Sequence, residues 1–246
     1  MRKRRLCAII LAAGKGTRMK SDLAKVLHPV CGKPMLAYPV AAAREAGAEK
    51  IVVIVGQQGP LVREAFKDEG LIFVEQREQL GTGHAVLLAR ESFRDDDATI
   101  LILCGDVPLL RGSTARALFE CHVSEKATVT VLTALYDNSS GYGRVVKGDR
   151  GEVQRIVEER DATEAEKKIR EINSGIYCVE SKFLFEAVAE IGRENTQGEY
   201  YLTDIVEIAC LKGFPVRSFC ITDPDEVMGI NTPDDLKKAD QVKIGN

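Results

Sequence analysis

The stretch "AIILAAGKGTRMKSDLAK" (Ala8–Lys25) ends an apolar run at two glycines, Gly14 and Gly16, and sets four cations around and after them: Lys15, Arg18, Lys20 and Lys25. An apolar run this short, stopped by glycine, reads as a buried strand. Glycines at a strand's end let successive backbone N–H groups turn inward and form an anion-binding concavity. Two better-known glycine loops are excluded by counting. Started at Gly14, both G-x-G-x-x-G and G-x-x-x-x-G-K-[ST] require glycine where Met19 stands. What remains is a phosphate-sized cradle, with Arg18 and Lys25 spaced to approach an oligophosphate from different sides. A surface loop with ordinary lysines is the competing reading of these residues taken alone.

Working outward, short apolar runs recur along the chain: "CAIILAA", "KIVVIVG", "LIFVEQ", "TILILCGD", "TVTVLTALY", "NSGIYCVE" and "PVRSFCI". Amphipathic stretches at Pro34–Ala46, Gly59–Lys67, Gly83–Glu91 and Ser113–Ser124 separate the early ones. This alternation predicts an α/β fold, a Rossmann-like, mostly parallel sheet with helices on both faces. Ligands of such sheets bind beyond the carboxyl ends of the strands, where the glycine loop, Gln76 and the Gly105–Asp106 pair would meet. From Gly141 to Glu159 the pattern changes to two strands with a turn at Gly148–Gly151, and the charged segment "RDATEAEKKIREI" that follows is expected to be a solvated helix. A single domain over residues 1–246, with a β-rich lobe at about 137–180, fits this order best.

Composition narrows the class. Hydrophobic residues at 45%, charged residues at 29% and a net charge of -3 describe a soluble globular protein without the basicity of a nucleic-acid binder. No apolar stretch reaches the roughly 20 residues of a membrane helix. "MRKRR" before "LCAIILAA" imitates a signal peptide, but the apolar run of eight residues leads straight into glycines and cations, and a buried strand explains it. The seven cysteines hold no C-x-x-C pair and mostly sit in apolar runs, so they read as reduced core residues of a cytoplasmic protein.

Asp106 follows a strand, so its carboxylate belongs at the same sheet edge as the glycine loop. That suits a ligand of magnesium, which takes one or two protein oxygens and fills its other positions with phosphate and water. A turn or helix cap before "VPLL" is the structural alternative.

These residues also carry a family resemblance. "LAAGKGTRMKSDLAKVLHPVCGKPML", "EQREQLGTGHAV", "CGDVPLL", "GYGRVV", "IVEERDAT", "EINSGIYCV", "QGEYYLTDI" and "GINTPDDL" occur in order from about Leu6 to Ala239. Together they resemble the N-terminal uridyltransferase domain of the bacterial bifunctional N-acetylglucosamine-1-phosphate uridyltransferase / glucosamine-1-phosphate acetyltransferase family, within the sugar-phosphate nucleotidyltransferases. The opening signature is shared across sugar-phosphate nucleotidyltransferases, whereas "EQLGTGHA", "GYGR" and "QGEYYLTD" narrow it to this branch.

The resemblance implies a nucleotide-diphospho-sugar transferase fold that makes UDP-N-acetylglucosamine and pyrophosphate from UTP and N-acetylglucosamine-1-phosphate. It implies that Leu11, Ala12, Ala13 and Gly14 approach the nucleotide through backbone, with Arg18 and Lys25 on its phosphates. It puts Gln76, Gly81 and Thr82 at the uracil, Asp106 and Asn231 on magnesium, Gly143, Glu158 and Asn173 around the sugar, and Cys104 and Gly105 beside the substrates. A Gln amide that is free to flip cannot by itself separate uracil from cytosine. A sugar phosphate is already an anionic nucleophile, so no general base is expected, and His84 reads as a residue opening a helix. The catalytic set is then Arg18, Lys25, Asp106 and Asn231.

Three features depart from the family. Ala24 precedes Lys25 where proline is usual, which leaves that backbone less fixed. Cys104 stands where members often carry an aromatic. The 246 residues hold no segment for the left-handed β-helix of the acetyltransferase half, so the chain is expected to be either a stand-alone enzyme with a separate acetyltransferase or a cut domain. The rival functions are a same-fold transferase for another base or sugar phosphate, and a catalytically silent nucleotide-sugar-binding regulator.

Overall fold

A computed structural model describes residues 4–94 and 97–245. The elements in chain order are β1 (Leu6–Ala12), β2 (Pro29–Val30), β3 (Lys33–Pro34), α1 (Ala37–Ala46), β4 (Lys50–Val55), α2 (Gly59–Ala65), β5 (Ile72–Glu75), α3 (Thr82–Leu88), β6 (Thr99–Cys104) and α4 (Gly112–Ser124). They continue with β7 (Val129–Leu135), β8 (Gly143–Lys147), β9 (Val153–Val157), β10 (Glu171–Glu180), α5 (Ser181–Glu190), α6 (Asp204–Leu211), β11 (Val216–Ile221) and α7 (Pro233–Gly245).

The central sheet runs β11-β7-β10-β6-β1-β4-β5, with β8 paired to β10 and β9 to β8. β6, β1, β4 and β5 are parallel, β10 runs against its neighbours β6, β7 and β8, and β9 runs against β8. β1 is apolar on both faces because both are covered. Cys7 and Ile9 join the layer beneath α3, α5 and α6, while Ala8 and Ile10 join the layer under α1 and α4. Ile9 and Ile10 are fully buried, each stabilising the fold by roughly 1.5–3 kcal/mol. The expected mostly parallel α/β sheet is therefore present.

Register sets the site. Leu11 pairs with Ile54 on one side and Cys104 on the other, so β1, β4 and β6 end level. Two more backbone bonds extend the ladder past the strand ends: Gly105 N–H to Leu11 O at 2.8 Å and Gln76 N–H to Val55 O at 2.8 Å. Gly105 is required there, since a Cβ would stand 2.9 Å from Leu11 O.

Two expectations need correction. Arg160–Ile172 is not a helix: only Glu166–Lys168 makes a single 3-10 turn, and β10 begins at Glu171. Thr163 and Glu166 do form a reciprocal cap, but Glu166 is drawn to Arg155 and Asp161 to Thr196, and Ile169 turns extended (ψ 126°). Tertiary partners override the local charge pattern. The cysteines, too, are less buried than their runs suggest. Only Cys7 and Cys178 are fully buried, while Cys220 on the edge strand β11 and Cys31 in the β2–β3 turn are exposed.

The loop between β1 and Lys25 folds back on itself. Gly16 has φ 61°, and a Cβ on it would sit 2.7 Å from Lys25 Cβ. Ala24, buried just before the lysine, has φ -52° and ψ 131°, which a proline ring adopts. Its N–H has no partner among the described residues. Ala24→Pro is therefore expected to stabilise the protein by about 0.4–1 kcal/mol through the unfolded chain. Thermal unfolding of the single mutant checks this, and a lower melting temperature would mean the ring does not fit.

Candidate active site

Four side chains from the first, middle and last parts of the chain converge at the carboxyl edge of the sheet. Lys25 Nζ donates to Asp106 Oδ2 at 2.6 Å and to Asn231 Oδ1 at 2.8 Å, and Arg18 Nη2 donates to the same Asn231 oxygen at 2.8 Å. Lys25 is only 9% exposed. An ammonium so withdrawn from water requires close oxygen partners, and Asp106 and Asn231 supply them.

Asn231 reaches this point by several ties. Ile230 N–H donates to Asp106 O at 2.9 Å. Asn231 N–H and Thr232 N–H both donate to Asp235 Oδ2, at 3.0 and 2.8 Å, while Asp235 N–H returns to Thr232 Oγ1, a reciprocal cap at the start of α7. Burial pushes the Asp235 carboxyl up, but these hydrogen bonds and the nearby Arg18 outweigh it and hold the group below its ordinary range. Behind the loop, buried Glu226 takes both Arg111 N–H and the Arg111 guanidinium, fastening the segment after β6 to the last turns. Val30, Met35, Leu109, Met228, Ile230 and Ala239 pack together to seat α7.

Two oxygens that share one ammonium also converge on a point a hard divalent cation can take, with other positions left to water and phosphate. Among the described residues no three His, Cys, Asp or Glu side chains group together for a metal. A cation at Asp106 and Asn231 would thus depend on ligands from a bound substrate.

Beside this cluster lie two cavities that share Ala13, Gly14 and Gln79. One, of about 460 Å³, is walled by the glycine loop, Lys25 and Gln58. The other, of about 290 Å³, is walled by Leu11, Gln76, Gly81, Thr82, Cys104 and Asp106. Gly14 is open to space, so its backbone can be approached closely. Gly81 (φ 111°) lies against the Tyr200 backbone, where a Cβ would fall 2.6 Å from the carbonyl oxygen. The Thr82 hydroxyl accepts from Leu202 N–H at 3.1 Å. A larger cavity of about 600 Å³ lies away from this edge, between Arg90–Arg94 and α5, and has no such convergence.

Gly143, Glu158 and Asn173 also come together. Asn173 pairs with Gly143 across β10 and β8, and a Cβ on Gly143 would be 3.4 Å from Glu158 Oε2. Asn173 Oδ1 accepts from Gly175 N–H and the Tyr177 hydroxyl, which leaves its amide hydrogens to donate. A bulge in β10 meets Cys104: Gly175 (φ 76°) brings its carbonyl to 3.5 Å from the Cys104 sulfur. Burial pushes the Cys104 thiol far up, so it stays protonated.

Some functional geometry had no sequence signal. His84 Nδ1 lies 3.2 Å from Gln76 Nε2, and Gln79 Nε2 donates to Ala13 O at 2.6 Å, fixing the carbonyl before the glycine loop. The ties from Asp235 were equally hidden. Only a helix-cap pattern, threonine followed three residues later by aspartate, could have pointed to them.

With this geometry in place, the comparisons are direct. Residues 7–224 match the nucleotidyl transferase family, and the chain belongs to it. It is 53% identical over 235 residues to the bifunctional protein GlmU of Geobacter metallireducens, a match covering 95% of this chain and 49% of that protein. It is 47% identical to the GlmU of Clostridioides difficile, covering 96% of this chain and 51% of the relative. To the GlmU of Desulfotalea psychrophila it is 46% identical, covering 96% and 70%. The chain thus spans about half the length of most curated relatives it matches.

Two outcomes follow from the geometry. Lys25→Met removes the ammonium and leaves both oxygens facing the cavity, so the nucleotide-free protein should bind Mn²⁺ several-fold more tightly than the wild type by electron paramagnetic resonance titration. Unchanged or weaker binding would mean that the two oxygens do not form one cation site. In the hollow lined by Glu158, Asp161 and Glu207, burial pushes the Asp204 carboxyl up to about 6, with Glu207 and Asp161 adding to it. A folded-state pKa above the unfolded one means that stability falls as pH rises from about 4 to about 6, and the cost is complete above that. Asp204→Asn should therefore raise the melting temperature at about pH 7.5 and leave it unchanged near pH 4. An equal gain at both would exclude charge as the cause.

Proposed function

We propose that this chain is a magnesium-dependent uridylyltransferase that forms UDP-N-acetylglucosamine and pyrophosphate from UTP and N-acetylglucosamine-1-phosphate. The observation that carries this reading is the convergence of Arg18, Lys25, Asp106 and Asn231 at the mouth of two joined cavities. Membership of the nucleotidyl transferase family and about 50% identity to GlmU proteins support it.

In this reading the cavity behind Gly14 takes the triphosphate and the one lined by Gln76 takes the uridine. Glu158 accepts from sugar hydroxyls and Asn173 donates to them, on the far side of Cys104 from the glycine loop. The nucleophile is the sugar phosphate oxygen, which needs no proton removed. The task is then to bring two polyanions together with the attacking oxygen in line with the α-phosphorus. Arg18 and Lys25 offset the charge that gathers on the leaving pyrophosphate. Asp106 and Asn231 would hold magnesium, which supplies further charge neutralisation between the phosphates. The backbone leading into the glycine loop, held by the Gln79 bond to Ala13 O, aligns the chain of phosphates.

Among the described residues no helix is long and apolar enough to cross a membrane. We place the reaction in the cytoplasm, with the nucleotidyltransferase domain filling residues 1–246. A silent nucleotide-sugar-binding regulator is the weaker reading, because binding alone does not call for two oxygens and two cations at the phosphate end of the cavity.

The test is pyrophosphate release with UTP, CTP, GTP and dTTP crossed with several sugar-1-phosphates. UTP with N-acetylglucosamine-1-phosphate should be fastest. Asp106→Ala and Asn231→Ala should each keep the fold by circular dichroism and lose at least roughly a hundredfold in kcat, only partly restored by excess magnesium. Preference for GTP or dTTP, or full activity of Asn231→Ala at ordinary magnesium, would overturn the assignment.

A further inference from the structure

The Gln76 amide is not free to flip. Its Nε2 lies 3.0 Å from Gly81 O, a contact that only a donor satisfies, and 3.2 Å from His84 Nδ1. A carbonyl oxygen turned toward Gly81 O would set two acceptors against each other, so the nitrogen is assigned by chemistry. The bond to Nδ1 requires that this ring nitrogen be the acceptor, which leaves the imidazole proton on Nε2. Gln76 is 4% exposed and lines the cavity of about 290 Å³. With Nε2 committed twice, Oε1 is the atom of this amide left for a ligand.

We propose that His84 is the positioning residue that sets pyrimidine selection, by locking Gln76 so that it presents an acceptor. This rests on the uridylyltransferase reading above. Uracil offers N3–H between two carbonyl oxygens, whereas cytosine offers a bare N3 beside an amino group. An acceptor facing N3 takes the first and repels the second, and rotating the amide by half a turn reverses the preference. Gly81 O engages only one amide hydrogen, so on its own it opposes the flip with one bond. His84 engages the other. The ring is itself held: His84 lies in the first turn of α3, next to Gly83, whose N–H bonds Tyr200 O at 2.8 Å, and its ring lies 6.3 Å from the Tyr200 ring, tilted by 36°. This part of the pocket needs His84 for its acceptor nitrogen as much as for its shape.

The lock predicts which substitutions matter. His84→Phe keeps an aromatic ring beside Tyr200 and removes the acceptor. His84→Asn places an amide oxygen close to where Nδ1 stands and keeps it. We expect His84→Phe to lower the ratio of kcat/KM for UTP over CTP by about tenfold, the equivalent of one net hydrogen bond. The loss should appear in KM for UTP, with KM for the sugar phosphate and kcat at saturating UTP little changed, and His84→Asn should recover most of the ratio.

A merely structural role would lower kcat and raise both KM values together, and would not be rescued by asparagine. Full UTP preference in His84→Phe, or equal loss in both variants, would overturn the proposal while leaving the uridylyltransferase reading intact. A wild-type protein with no preference for UTP over CTP would overturn both.

Discussion

The ammonium of Lys25 holds the site together. One buried cation bridges a carboxylate at the end of β6 and an amide from the last loop, residues 106 and 231 in the chain. Stripping an ammonium of water costs several kcal/mol unless oxygens replace the lost hydration. The two oxygens are therefore as necessary to Lys25 as it is to them. Much of the surrounding architecture brings these atoms to one place. Level strand ends at β1, β4 and β6 set the floor, Gly16 lets the loop fold back over the lysine, and Glu226, Asp235 and the packing under α7 deliver Asn231.

On the uridylyltransferase reading proposed above, the same arrangement would explain why little acid-base machinery is needed. A site for two phosphorylated substrates has mainly to overcome their mutual repulsion, and positive charge at a fixed place does so without moving a proton. Cys104 sits among the proposed groups with its thiol held protonated by burial, so it acts by shape. Gly175 folds close to its sulfur, where a Cβ would stand 2.9 Å away.

The sheet was legible in the sequence because its central strands β1, β4 and β6 are apolar on both faces and stop at glycines, as at Ala12–Gly14 and Cys104–Gly105. Gln76 and Asp106 could be placed at the sheet edge for the same reason, since a residue just past a parallel strand projects there. The role of Asn231 came from family resemblance alone. Its position depends on contacts made across the molecule, with Asp106 and Lys25, which no local pattern encodes. Arg160–Ile172 misled for a related reason: its helical charge spacing is real, but Glu166 and Asp161 find stronger partners in Arg155 and Thr196. His84 was read as a helix residue, which it is; its contact with Gln76 depends on how the start of α3 lies beside β5.

Anomalous diffraction from crystals grown with Mn²⁺ and a non-reacting UTP analogue tests the central claim most directly. The account predicts one manganese peak within coordination distance of both Asp106 and Asn231, with Lys25 Nζ moved from between them onto the phosphates. Manganese bound elsewhere, with Lys25 still bridging the same two oxygens, would contradict it.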